Sequence, residues 1–166
     1  MFSDETFSTI TYDTLVRAGV ACTSAFVPEG NGENDNRSQE SNPPFAKGSR
    51  GIRIVPDIYF STSAATPDKF DLLVIPGGAK GAATISGSAP IQHLVRDYLQ
   101  AGKFVGMICA DFDYSEEPVV ISDKLVTSRG PGTTFPFALT LVELLCGKKK
   151  RAEVAGPMVF PQGTFA

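Results

Sequence analysis

The chain has 166 residues, of which 42% are hydrophobic and 20% are charged, and its net charge is −3. This size and composition are typical of a single globular domain with a substantial core, which we place over residues 1–166. The only dense basic run is KKKR at 148–151, which we interpret as a helix C-terminus. A nucleic-acid-binding protein would need a broader basic face, and the chain has no long apolar segment for a membrane.

The few cysteines and the lone histidine limit the kinds of site that the chain can form. Cys22, Cys109 and Cys146 have no metal-like spacing, and their odd number argues against a secreted disulfide framework. His93 is the only histidine, which excludes a multi-histidine metal centre. The N-terminus has no features of a signal peptide. We therefore expect a reduced, cytoplasmic setting, with the nucleus as an additional compartment, and no metal or organic cofactor.

The first part of the chain predicts a helix and two strands separated by a long loop. Leu15 and Val16 mark the inward face of the helix. The apolar, β-branched segment 20–27 predicts a strand. Residues 28–51 are rich in Gly, Asn, Ser, Glu and Pro and predict a long polar loop. The alternation over 52–60 predicts a further strand.

The second part alternates strands with helices, which is typical of a doubly wound α/β sheet. Its first strand carries a continuous apolar run, as expected of a parallel strand that is covered on both faces. The predicted elements are a strand at 69–78, a helix at 88–103, a strand at 103–110, a hairpin of 118–122 with 124–130, a helix at 133–147, a short strand at 153–160 and a tail at 161–166.

Two loops follow the carboxyl ends of predicted parallel strands, where ligands bind in sheets of this kind. Gly77 and Gly78 allow backbone N–H groups to approach a ligand and to form an oxyanion nest. Cys109 and Ala110 follow the next strand, and a thiol between a buried strand and a helix N-terminus is a nucleophile. Each feature alone has an ordinary structural reading, as a turn or as a small buried side chain.

Together, LLVIPGGAKGA, VGMICA and LVTSRGPGTTFPFAL resemble the DJ-1/PfpI family, in its branch of deglycases and glutathione-independent glyoxalases. The resemblance covers roughly residues 12–27 and 48–160. It implies a flavodoxin-like fold of the class I glutamine amidotransferase type and a homodimer. It also implies Cys109 as the nucleophile, with the amides of Gly77, Gly78 and Ala110 around the substrate.

The resemblance further implies the conversion of methylglyoxal, a small aldehyde, to lactate (D-lactate dehydratase-like), with roles in aldehyde detoxification and oxidative stress. The cysteine adds to the aldehyde carbon, and a protonated glutamate then moves protons between the two carbons. Counting back from Arg17 in ungapped register places this glutamate at Phe7, so Glu5 is the nearest candidate. The alternative for Glu5 is an exposed carboxylate at a frayed chain end.

Three departures from the family pattern lead us to expect an incomplete fold. The apolar strand that precedes the glutamate turn is absent, and two central strands thereby lose a neighbour. A block with a helix and a histidine is missing after ICA. Asp111 and Asp113 follow Cys109 instead and would raise its thiol pKa by charge repulsion.

Two kinds of function therefore stay open. One is a glyoxalase with Cys109 as the nucleophile and Glu5 as the proton shuttle. The other is a non-enzymatic relative: a redox-sensing protein, an interaction protein or an inactive truncated chain. A glutamine amidotransferase-like hydrolase is disfavoured, because it needs a Cys-His-Glu arrangement for which no histidine is available.

Overall fold

The computed structural model describes residues 5–28, 45–78, 86–108 and 116–164. No helix in these ranges has the length and apolar character that crossing a membrane requires. The helices with bounds in these ranges are α1 Glu5–Arg17, α2 Ala89–Gln100, α3 Thr134–Cys146 and α4 Lys148–Ala155, with 3-10 turns at Pro131–Thr133 and Gly156–Met158.

The described strands form one larger sheet and two small ones. The strands are β1 Ala25–Phe26, β2 Ala46–Lys47, β3 Arg53–Ile54, β4 Ile58–Tyr59, β5 Leu72–Ile75, β6 Phe104–Ile108, β7 Val119–Ser122 and β8 Leu125–Ser128. The larger sheet has the strand order β5-β6-β8-β7, while β1 pairs with β4 and β2 pairs with β3.

The four-stranded sheet confirms the predicted α/β arrangement of the second part of the chain. β6 lies between β5 and β8 and is parallel to both, and α2 connects β5 to β6. β7 and β8 form the predicted antiparallel hairpin, whose turn contains Asp123 at φ 53°. An aspartate tolerates this left-handed conformation better than most residues.

Helix α3 covers β6 and forms the centre of the core. Phe137 and Leu141 are fully buried on α3, and an ideal Cβ at Gly106 of β6 would lie 2.8 Å from Phe137 Cζ. Glycine therefore allows the helix to approach the strand this closely. Phe7 of α1 packs on the Phe137 ring, with the ring centroids 5.2 Å apart. The core thus joins α1, α3 and β6.

The strand predicted at 20–27 is much shorter than expected. Only Ala25–Phe26 is a strand, and its sole described neighbour is β4, with which it is parallel. The predicted strand at 52–60 is likewise two short strands, β3 and β4, on either side of Pro56, which has no backbone N–H to donate. Among the described residues, β1 and β4 each have a neighbour on one side only, so no second ladder extends them there.

The prediction of a polar loop over 28–51 was wrong for its last residues, which belong to a hairpin. Ala46–Lys47 pairs antiparallel with Arg53–Ile54, so residues 48–51 form the turn of a hairpin. Gly51 occupies this turn at φ 100°, and its N–H donates to the Gly48 carbonyl at 3.0 Å. The remainder of the predicted loop, 29–44, lies outside the described residues.

The structure also corrects the C-terminal part and one face of α1. Residues 153–160 were predicted as a strand, but 153–155 are the end of α4 and 156–158 form a 3-10 turn. The basic run 148–151 begins a helix rather than ending one, because the chain reverses at Gly147, which has φ 87°. Val16, predicted to face inward, is 46% exposed, whereas Leu15 is buried as expected.

Candidate functional site

The turn after β5 lies at the carboxyl end of a parallel strand, where the sequence predicted a binding loop. β5 ends at Ile75. Gly77 is buried, and Gly78 has φ 112°, a conformation that side chains rarely adopt. Close approach of backbone amides to a ligand requires such residues. The role of the Gly77 and Gly78 amides in binding stays a prediction.

The predicted nucleophile follows the neighbouring strand. β6 ends at Ile108, which is buried, and Cys109 is the next residue in the chain. Cys109 and Ala110 lie outside the described residues, as do Asp111 and Asp113. Their roles and the effect of the aspartates on the thiol pKa therefore stay predictions.

Glu5 is buried rather than exposed at a frayed end. It is the first residue of α1, and only 4% of its surface is accessible. Its carboxylate accepts a hydrogen bond from Ser49 Oγ at 3.0 Å and another from the Arg50 backbone N–H at 2.6 Å. An ideal Cβ at Gly48 would lie 2.6 Å from Glu5 Oε2, so a side chain at this position would displace the carboxylate. Glu5 thereby joins α1 to the β2–β3 hairpin.

These surroundings favour the ionised form of Glu5. Burial acts to raise the pKa of the carboxyl, but hydrogen bonds from the backbone and from Ser49 outweigh it, and the pKa falls below its ordinary value. Glu5 is therefore a carboxylate at neutral pH, whereas the family resemblance implied a protonated glutamate. An acid at the start of a helix also gains from the helix dipole.

Phe7, the position reached by ungapped counting, has a structural role. Its side chain is fully buried against Phe137 in the core. No other acidic residue in the described ranges is buried, which makes Glu5 the described candidate for a buried carboxylate.

The predicted site residues belong to two separate groups in the described contacts. The contacts of Glu5 lie in the 48–50 turn, and none of them joins it to Gly77 or Gly78. A cavity of about 1060 Å³ lies between β1 and β5, and neither Glu5 nor the Gly77–Gly78 turn lines it. The described residues contain no group of three or more side chains suited to a metal ion.

The comparison with known protein families agrees with the α/β fold described above. The model of the DJ-1/PfpI family matches residues 3–112. The chain belongs to the DJ-1/PfpI family. This match begins just before α1 and extends past the end of β6, so it includes every predicted site residue.

Individual relatives support this membership over most of the chain. Protein dj-1beta of Drosophila melanogaster is 31% identical over 175 residues, which cover 88% of this chain and 86% of that protein. Its crystal structure is similar with a TM-score of 0.80 and 28% identity, covering 96% of this chain and 93% of that chain. The flavodoxin-like fold of the family is thereby confirmed.

Two further relatives differ in how much of their length is matched. Glutathione-independent glyoxalase DJ-1 of Schizosaccharomyces pombe is 28% identical over 177 residues, covering 87% of each protein. Protein DJ-1 homolog B of Arabidopsis thaliana is 34% identical over 138 residues, but this chain spans only 31% of its length.

The sequence analysis missed Ser49 and Arg50 as the residues that donate hydrogen bonds to Glu5, and Gly48 as the residue that leaves room for its carboxylate. A signal for them exists in FAKGSRGIRI, where two short alternating segments flank a glycine-containing turn, as in a hairpin. The polar composition of 28–51 concealed this signal, because the hairpin begins only at Ala46.

Proposed function

We propose that this DJ-1/PfpI protein is a glutathione-independent glyoxalase that converts methylglyoxal to lactate. The observation that carries the proposal is the buried, ionised carboxylate of Glu5 in the first turn of α1. The name of the Schizosaccharomyces pombe relative supports the activity. A general base must be ionised to accept a proton, and Glu5 meets this requirement in a position that is shielded from water.

In the first step of the proposed reaction, the Cys109 thiolate attacks the aldehyde carbon of methylglyoxal. A carbon–sulfur bond forms, the carbonyl electron pair moves to oxygen, and that oxygen takes up a proton to give a hemithioacetal. The Gly77 and Gly78 amides stabilise the developing oxyanion. The chain connectivity supports this grouping, because Cys109 directly follows the buried end of β6, the parallel neighbour of β5.

In the second step, Glu5 removes the proton from the carbon that carries sulfur, and the ketone oxygen takes up a proton, so that an enediol forms. Glu5 then delivers a proton to the adjacent carbon while the hydroxyl on the sulfur-bearing carbon loses its proton, which yields a lactoyl thioester. Water cleaves the carbon–sulfur bond and releases lactate and the free thiol. One carbon is oxidised as much as its neighbour is reduced, so methylglyoxal and water give lactate without an external oxidant.

The test is turnover of methylglyoxal without glutathione, followed as lactate formed by the full chain. We expect Cys109→Ser to abolish turnover and Glu5→Gln to lower kcat by about 10²-fold or more, as for loss of a general base. Asp13→Asn is the matched control, because Asp13 lies on α1 with its side chain exposed and paired with Arg17. Turnover that persists in Cys109→Ser would refute the mechanism.

One observation favours a non-enzymatic alternative, a redox-sensing or interaction protein. Both carboxylate oxygens of Glu5 already accept hydrogen bonds from the hairpin, as expected of a purely structural carboxylate. A chain that unfolds cooperatively in a circular dichroism melt but gives no lactate would support this alternative and refute the glyoxalase proposal.

The family resemblance also supports two proposals about the setting of the protein. We propose a homodimer, which light scattering of the purified chain would test. We also propose a location in the cytoplasm and the nucleus, which imaging of a tagged chain would test. A monomer at all accessible concentrations, or a signal confined to another compartment, would refute the respective proposal.

A further inference from the structure

The turn after β8 lies next to the end of β6, on the side opposite to the Gly77–Gly78 turn. In the strand order β5-β6-β8, Ile75 of β5 is the register partner of Met107 in β6. Ile108, the last residue of β6, is the partner of Ser128, the last residue of β8. The three parallel strands therefore end at nearly the same level, and a turn flanks the end of β6 on each side.

We call residues 129–133 the β8 loop. Neighbouring strands of a sheet lie about 4.8 Å apart, so the β8 loop begins within a side chain's length of the position that follows Ile108. In the proposed reaction, this position belongs to the nucleophile Cys109. Ligands of doubly wound sheets bind at the carboxyl ends of the strands. The β8 loop is therefore placed to contact a substrate that reacts there.

Two residues of the β8 loop are glycines although their backbone conformations do not require glycine. Gly130 is extended with φ 177°, and Gly132 lies in the 3-10 turn and is not among the described glycines with positive φ. Residues with side chains adopt both conformations. In contrast, Gly78 has a positive φ, and Gly106 lies against a buried ring.

The space that side chains would occupy at Gly130 and Gly132 is open in the described part of the chain. No described heavy atom lies within 4 Å of an ideal Cβ at either residue. Gly132 is exposed and Gly130 is half-buried. A glycine that neither reverses the chain nor relieves a contact leaves room for the close approach of another group. At this edge of the sheet, the approaching group is a bound ligand.

Hydrogen bonds to Thr133 hold the β8 loop in one shape. Thr133 Oγ1 accepts a hydrogen bond from the Gly130 N–H at 3.2 Å, and the Thr133 N–H donates to the Gly130 carbonyl at 3.0 Å. Ser128 is 7% exposed, and its Oγ lies 2.6 Å from Thr133 Oγ1 and 2.9 Å from the Pro118 carbonyl oxygen. The N–H of Gly130 is thus used within the loop, so Gly130 contributes shape to the site rather than a hydrogen bond.

We propose that the β8 loop is the wall that limits the size of the group on the ketone carbon of the substrate. This proposal rests on the proposed glyoxalase function for the substrate class, which is the 2-oxoaldehydes. Gly130 and Gly132 leave room beside the reacting thiol, so the site accepts substituents larger than a methyl group. Ser128 and Thr133 are positioning residues, which keep this wall in place.

The first test compares methylglyoxal with tert-butylglyoxal, in which a tert-butyl group replaces the methyl group. Formation of each 2-hydroxy acid by the full chain is followed without glutathione. We expect Gly130→Ala and Gly132→Ala to lower kcat/KM by about tenfold or more for tert-butylglyoxal and by less than about threefold for methylglyoxal, because the added methyl group fills space that only the larger substituent needs.

Gly156→Ala is the matched control for this comparison. Its Cβ also meets no described atom within 4 Å, its φ is −55°, and it follows α4. We expect it to leave the ratio of the two kcat/KM values unchanged. Equal losses for both substrates in the β8 loop variants, or no loss, would overturn the proposal. A wild-type chain that converts methylglyoxal but not tert-butylglyoxal would overturn it as well.

Alkylation of Cys109 tests the wall without turnover. Iodoacetamide is small, N-phenylmaleimide is bulky, and both react with a thiolate. Mass spectrometry reads the rates on the peptide that contains Cys109, with the peptide of the exposed Cys146 as the internal reference. We expect Gly130→Ala and Gly132→Ala to slow N-phenylmaleimide at least about fivefold more than iodoacetamide.

The alkylation rates separate this proposal from the glyoxalase proposal. A wild-type chain without turnover refutes the glyoxalase reaction alone, because the ratio of the two alkylation rates then decides the wall by itself. An unchanged ratio in the glycine variants would overturn the wall. A Cys109 that reacts with neither reagent would overturn it too, since the β8 loop would then border no open site.

Double variants test whether Thr133 positions the wall. Thr133→Val removes the hydroxyl but keeps the shape of the side chain, so the β8 loop can shift and the added Cβ can move aside. We expect Gly130→Ala with Thr133→Val to recover part of the N-phenylmaleimide rate. Gly130→Ala with Thr133→Ser should recover none, because serine keeps the hydroxyl. Recovery with both partners would overturn the positioning role.

Thermal melts of the single glycine variants separate a wall for ligands from ordinary packing. We expect Gly130→Ala and Gly132→Ala to melt within about 2 °C of the wild type, as for substitutions that meet open space. A fall as large as that of Gly106→Ala would overturn the proposal, because the added Cβ would then contact the protein itself.

Discussion

Two apolar segments of this chain form strands, β6 and β1, that differ in length, in the number of neighbouring strands and in burial. β6 is five residues long, is parallel to neighbours on both sides and contains Val105 and Ile108 in the buried core. β1 is two residues long, has one described neighbour and contains no buried residue. Both come from apolar segments of about eight residues, 103–110 and 20–27.

The difference shows that ladder partners decide how long a strand becomes. Each residue added to a strand loses conformational entropy, which is recovered only if its backbone groups are paired and its side chain is covered. β6 has β5 and β8 beside it and α3 above it, whereas β1 has only β4 beside it among the described residues. The apolar pattern therefore predicts where a strand lies, whereas the length of the strand depends on the strands beside it.

The largest test of this contrast compares two phenylalanines. Phe137 is fully buried over β6, and Phe26 of β1 is half-buried with an edge contact to Tyr59 at 5.9 Å. We expect Phe137→Ala to lower the free energy of unfolding by about 3–5 kcal/mol. For Phe26→Ala we expect about 1 kcal/mol, mostly from the ring contact. Urea unfolding would measure both, and equal losses would contradict the contrast.

A second test adds atoms to the well-packed region. Gly106→Ala would place a Cβ 2.8 Å from Phe137 Cζ and should cost about 1–3 kcal/mol by overpacking. Gly156→Ala is the matched control, since nothing lies within 4 Å of its Cβ position and its φ is −55°. Adding Phe137→Leu should recover part of the loss in Gly106→Ala. Without any recovery, the close contact would not be the cause.

A third test concerns the carboxylate that joins α1 to the β2–β3 hairpin. The folded-state pKa of Glu5 lies below its ordinary value of 4.5, so ionised Glu5 stabilises the fold above that pH. This contribution is lost as the pH falls through the folded pKa. Thermal melts should show the wild type more stable than Glu5→Gln at pH 7, with the gap closing below about pH 4.5. A gap independent of pH would show that charge is not involved.

The smallest expected effect is at the junction of α3 and α4. Arg151 Nη1 lies 2.7 Å from Glu143 Oε2, and both side chains are partly exposed. We expect Arg151→Ala to cost less than about 1 kcal/mol and the loss to shrink at high salt. Lys149→Ala is the matched control on an exposed position of the same helix. A larger loss that salt does not reduce would indicate packing by the arginine stem instead.

The sequence predicted much of the second part of the chain, because its patterns are local. The structure contains the apolar strand β5, the predicted helix as α2, which buries Ile91, Leu94 and Tyr98, and the predicted hairpin of β7 with β8. The predicted C-terminal strand was wrong, because residues 153–155 end α4 and residues 156–158 form a 3-10 turn. A short apolar segment such as EVAGPMVF does not distinguish a strand from a helix by its pattern alone.

The candidate site was predictable only in part. The Gly77–Gly78 turn follows from a local motif at the end of a strand. The burial of Glu5 does not, because it depends on Ser49 and Arg50, more than forty residues away. A carboxylate near a chain end is ordinarily solvated, and only a distant backbone N–H and hydroxyl change that.

By itself, the sequence determined the family, the α/β class and the position of each strand that is covered on both faces. These features depend on side-chain periodicity and on turn residues, which act over a few positions. Only the tertiary structure decided the length of β1, the burial of Glu5 and the pairing of β1 with β4. These features depend on hydrogen bonds between segments that are distant in the chain, and the sequence of one segment does not specify which other segment will supply its partners.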